Sequence, residues 1–91
     1  MIKSFRHKGL VALFSSGSAA KVQPKHGARL TQILTMLNVA TNVGQMNAPG
    51  LRLHPLKGKP KRWAVWVDEN YRVIFRFESG HALEVDYGDY H

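Results

Sequence analysis

The spacing of hydrophobic side chains changes once along this chain, near Leu51, and that change limits what it can fold into. Leu30, Ile33, Leu34 and Leu37 recur at i, i+3, i+4 and i+7, the stripe of a helix lying on a core. Leu10, Leu13 and Phe14 fall at helical spacing between His7 and Ser16, and Gly17 predicts the stop. The second helix is expected to start near Pro24, since proline is tolerated in a first helical turn. A short extra turn fits Val43–Met46. From Leu51 onward apolar and polar residues alternate, as in half-buried strands. Strands are predicted over 63–67, 71–77 and 81–87, joined by turns at Asp68-Glu69-Asn70 and Ser79-Gly80. Residues 1–6 fit a short edge strand. The expected fold is α+β: two N-terminal helices on one face of a small antiparallel sheet, with residues 1–91 forming a single domain.

The composition suits a small core, with 44% hydrophobic and 21% charged residues. There is no cysteine, which excludes disulfides and thiolate chemistry. No apolar run approaches the ~20 residues of a membrane helix. The charged N-terminus is not followed by the apolar stretch of a signal peptide, so a cytoplasmic protein without membrane contact is expected.

Charge is segregated along the chain. Residues 1–67 carry 11 of the 13 Lys and Arg and none of the six Asp and Glu. Most cations therefore lack an acidic neighbour in sequence, and such a field attracts polyanions, nucleic acid foremost. The densest run spans Arg52 to Arg62 and includes Lys57, Lys59 and Lys61.

Alternation sorts these residues by face. With Tyr71, Val73, Phe75 and Phe77 turned to the helices, Arg72 and Arg76 face the other way, and Arg52 and His54 are expected to join them. RNA supplies its own nucleophile, the 2′-OH. Cleavage then needs a base for that proton, cations for the charge growing on the phosphate, and an acid for the leaving 5′ oxygen. Lys and Arg fill the second role, and His either proton role. The terminal Asp89-Tyr90-His91 adds a carboxylate, a phenol and an imidazole. Rival motifs are weak. Asp86, Asp89 and His91 form no second cluster for a metal, and His7, His26 and His81 are expected at the surface. Ser15-Ser16 is expected in a turn with no base near it in sequence.

Several segments together resemble a known family. Met1-Ile2-Lys3-Ser4-Phe5, His7-Lys8-Gly9-Leu10, Leu53-His54-Pro55-Leu56-Lys57-Gly58, Tyr71-Arg72-Val73-Ile74-Phe75 and the terminal Asp89-Tyr90-His91 are similar, in order, to the HigB toxins of bacterial type II toxin–antitoxin systems. That family lies in the RelE/ParE superfamily, whose fold packs two N-terminal helices on an antiparallel sheet. The resemblance implies a ribosome-dependent mRNA endoribonuclease that cuts the codon in the A site without a metal or other cofactor, leaving a 2′,3′-cyclic phosphate. It implies a monomeric toxin held in a hetero-oligomer by a helix-turn-helix, HigA-like antitoxin. It also implies functional roles for His54, Lys57, Arg72, Asp89, Tyr90 and His91. To these the charge pattern adds Arg52, Lys59, Lys61, Arg62 and Arg76 as RNA or ribosome contacts. Lys59, Lys61 and Arg62 raise the positive charge where relatives often carry an acid or glycine. The alternatives are a ParE-like gyrase poison and a module that only binds RNA or the ribosome.

Overall fold

The computed structural model describes residues 1–90, so His91, one of the expected catalytic residues, lies outside the described residues. Two α-helices, α1 (Lys8–Ser16) and α2 (Gly27–Val39), precede an antiparallel sheet. Its strands are β1 (His54–Leu56), β2 (Arg62–Trp66), β3 (Tyr71–Glu78) and β4 (His81–Asp89), ordered β1-β2-β3-β4. A 3-10 turn, Pro24–His26, leads into α2, and another, Val43–Met46, follows it. This is the expected α+β arrangement, with a fourth strand the alternation did not resolve.

Local chemistry sets the element ends. The His7 side chain accepts a hydrogen bond from the Gly9 amide at 3.0 Å and caps α1. At the other end Gly17 sits at φ 75°, and the Gly17 and Ser18 amides donate to the Leu13 and Ala12 carbonyls. Ser15 and Ser16 lie in the last turn of α1, not beyond it, and bond back to the Val11 and Ala12 carbonyls. Ser79 and Gly80, both at positive φ, make the two-residue link between β3 and β4.

The four leucine and isoleucine side chains of the α2 stripe are fully buried. They pack with Leu10 and Leu13 of α1 against Val65, Val73, Phe75, Ala82, Val85 and Tyr87 of the sheet. Burial of each such side chain contributes about 1.5–3 kcal/mol. The segment before α1 lies parallel to β4, with Ile2 beside Ala82 and Phe5 beside Val85. Four backbone hydrogen bonds of 2.8–3.1 Å hold it there, so one edge of the sheet is covered.

Two sequence expectations need correction. The chain from Leu51 to Leu53 is not a strand: Arg52 has φ 49°, and β1 begins only at His54. The alternation of β4 is also broken. Ile74 pairs with Asp86 and Arg76 with Leu83, so two steps on β3 span three on β4. This bulge puts Glu84 at φ 52° and shifts the buried residues to Ala82, Val85 and Tyr87.

Leu34→Ala is expected to lower unfolding stability by about 3 kcal/mol, because α2 and the sheet hold the cavity open. The urea midpoint measures this, and an unchanged midpoint would show that the α2 stripe is not the core.

Candidate functional site

Residues paired across antiparallel strands share a face of the sheet. The register therefore sets two rows on the side away from the helices: His54, Ala64, Ile74, Asp86, and beside them Trp66, Arg72, Gly88. Leu56 and Arg62 form a third pair on the same side. Arg72, Arg62 and His54 thus share a face, as alternation predicts for Arg72.

Arg72 is held in place. Its Nη1 donates to the Asp68 carbonyl at 2.7 Å and to the Tyr71 carbonyl at 3.0 Å, and its guanidinium lies 4.6 Å from the Trp66 ring centroid. Arg52 stacks on the same indole at 3.8 Å. It reaches this face through its left-handed backbone, not through strand alternation. The indole's π density attracts both cations and brings together two guanidiniums that would otherwise repel. Trp66 falls on this face by strand alternation, and nothing in its spacing marks it as a platform for two guanidiniums.

His54 is exposed, and its Nδ1 lies 2.9 Å from the Arg52 carbonyl oxygen. A carbonyl only accepts, so this bond requires the proton on Nδ1. The neutral ring then carries its lone pair on Nε2.

Lys57, Gly58, Lys59 and Pro60 form the exposed loop from β1 to β2. With Arg62 and Tyr90 they line a cavity of about 140 Å³. The Tyr90 amide donates to the Asn70 carbonyl at 2.8 Å, which lays the end of the chain along the start of β3, beside Arg72. Lys61 is drawn off to the Trp63 ring, 4.8 Å away.

Two of the expected cationic contacts are already engaged. Arg62 donates to Glu84 at 2.8 Å, and Arg76 binds both Glu84 and Glu78. The Arg62 bond, with help from Arg76, holds Glu84 below the usual carboxylate range. The Glu78 bond, with Glu84, raises Arg76 further. Both guanidiniums are therefore largely neutralised, unlike Arg52, Lys57, Lys59 and Arg72, which no ion pair among the described residues engages. Asp89 pairs in register with Tyr71, which turns to the helices, so the register sets this expected catalytic residue on the face opposite Arg72.

His26 is buried, not at the surface as expected. Its Nε2 lies 2.6 Å from Asp68 Oδ2 and its Nδ1 lies 2.6 Å from the Tyr87 hydroxyl. Asp68 Oδ1 accepts from the Asn70 and Tyr71 amides at 2.9 and 2.8 Å. One carboxylate thus ties the core to the turn whose carbonyl holds Arg72. Nothing in the spacing of His26 and Asp68, 42 residues apart, signals this.

A family model described as a RelE-like toxin of the type II toxin–antitoxin system HigB matches residues 3–91. The chain is 40% identical over 92 residues to the Endoribonuclease HigB of Proteus vulgaris, across 100% of both sequences.

The His26 bond, then the two turn amides, pull Asp68 down to about 2. The unfolded carboxyl titrates near ~3.9. Since the folded value is the lower, its contribution to stability is complete above that pH and is lost as pH falls from about 4 to about 2. Urea midpoints at pH 7, 4 and 2.5 are expected to fall less steeply for Asp68→Asn than for the natural chain. Parallel curves would contradict the assignment.

Proposed function

Because the chain belongs to the HigB-like, RelE-type toxins of type II toxin–antitoxin systems, we propose that it is an endoribonuclease that cuts messenger RNA in the A site of the translating ribosome. The observation that carries this reading is the shared face: an anchored Arg72, a histidine with Nε2 as its basic nitrogen, and Tyr90 beside Lys57. Arg72 spends one nitrogen on two carbonyls, and no hydrogen bond to another described residue engages its remaining N–H groups, which suit a phosphate.

In the proposed reaction the 2′-OH attacks the adjacent phosphorus in line. His54 Nε2 takes the 2′ proton. Arg72 and Lys57 stabilise the charge that grows on the non-bridging oxygens. The P–O5′ bond breaks, and a proton from His91 reaches the leaving oxygen. The products are a 2′,3′-cyclic phosphate and a 5′-hydroxyl. Each task falls to a side chain, so the scheme calls for no metal. Tyr90 stacks on a base next to the cut, and Arg52 and Lys59 hold the flanking backbone. The toxin works in the cytoplasm, with residues 1–91 folded as one domain. A helix-turn-helix, HigA-like antitoxin neutralises it in a hetero-oligomer.

Arg72→Ala is expected to keep the fold, judged by circular dichroism, and to lower RNA cutting by at least ~100-fold, the usual cost of losing a donor to the transition-state charge. Growth arrest should disappear with it. Primer extension on translated messages reads the cuts as stops inside codons. Full toxicity of a normally expressed Arg72→Ala chain would overturn the reading, as would DNA breaks linked to gyrase without RNA stops.

A further inference from the structure

A second cavity adjoins the one at Lys57. It measures about 230 Å³ and shares Leu56, Arg62 and Tyr90 as a common wall. Its other lining includes Arg6, Ile74 and Asp86. Arg6 comes from the N-terminal segment along β4, and Ile74 and Asp86 are a cross-strand pair on the Arg72 face.

The charges of this cavity are of two kinds. Arg62 and Glu84 neutralise each other. Asp86 and Arg6 form no ion pair among the described residues, although both line the same space. Asp86 Oδ1 accepts the Tyr87 amide at 2.9 Å, which fixes the carboxylate against the strand. An apolar floor at Ile74, an aromatic wall at Tyr90, one acceptor and one donor suit a planar heterocycle with polar edges. A nucleobase has that shape, and the volume accommodates one.

We propose that this cavity is a nucleobase subsite in which Asp86 accepts from an exocyclic amine, so that the chain favours adenine, cytosine or guanine over uracil there. The proposal rests on the nuclease reading for its RNA substrate and deepens it by naming a determinant of base choice. A carboxylate pairs with an amine donor on a base edge. Uracil offers only N3–H between two carbonyls, and these meet the carboxylate's negative charge. Arg6 donates to a ring nitrogen or carbonyl on the far edge. The neighbouring cavity, with Lys57 and Lys59, takes the phosphate next to that base.

Two measurements test this. The first is binding of 5′-AMP and 5′-UMP to the purified chain, natural and Asp86→Asn, followed by two-dimensional NMR. AMP is expected to bind about tenfold tighter than UMP to the natural chain, and Asp86→Asn to reduce that ratio to near one. Equal binding of the two nucleotides, or a ratio that Asp86→Asn leaves unchanged, would overturn the subsite. The second is sequencing of RNA 5′ ends from cells expressing each chain. Uridine at the subsite position should become more frequent among the cuts made by Asp86→Asn; an unchanged distribution would also overturn it. Base discrimination that depends on Asp86, in a chain that makes no cuts, would remove the nuclease reading and leave the subsite standing.

Discussion

Asp68 joins the two sides of the sheet. Its carboxylate accepts from buried His26 and from two amides of the β2–β3 turn, and its carbonyl accepts from Arg72. The helices, through the turn before α2, thereby fix the backbone that aims a guanidinium on the opposite face. A buried imidazole between a carboxylate and a phenol is a demanding arrangement, because each lost partner leaves a polar group unsatisfied in the core. The His26 imidazole and the two phenol rings beside it, Tyr71 and Tyr87, lie 4.8–5.8 Å apart and leave little room to relax.

The placement of acids decides which cations remain for a ligand. Glu84 sits on the β4 bulge and engages Arg62 and Arg76 together. That neutralises the Arg62–Arg76 end of the sheet face and leaves Arg52, Lys57, Lys59 and Arg72 outside any ion pair among the described residues. The unpaired positive charge of this face thus forms two separate groups, one on the Trp66 ring and one on the Lys57 loop. Tyr90 reaches from the first toward the second. A polyanion laid along the face would meet both groups in turn.

Periodicity carried the helices, three of the strands and the orientation of Arg72, because those features depend on neighbours in sequence. The α2 stripe and the Tyr71–Phe77 alternation needed no tertiary help. Failures came where one residue takes a left-handed backbone. Arg52 and Glu84 do so at positions that no propensity marks for it, and each re-aims a charged side chain. The His26–Asp68 bond was illegible for another reason: it is a contact between distant residues, and a histidine with no partner at metal spacing reads as surface. Within the candidate site, Lys57 was legible in the basic run and Tyr90 in the terminal tripeptide, the resemblance gave them roles, and one cavity is lined by both. The ion pairs of Arg62 and Arg76 were not visible in the sequence, since Glu84 lies well beyond their strands' local pattern.

Location of the RNA on the face opposite the helices is the proposition on which the chemistry rests. Side-chain and amide NMR spectra during titration with a 2′-O-methyl RNA, which lacks the attacking hydroxyl, test it directly. Shifts should gather at Arg52, His54, Lys57, Trp66, Arg72 and Tyr90. Shifts gathered instead on the exposed residues of α1 and α2, with Arg72 and Tyr90 unmoved, would contradict it.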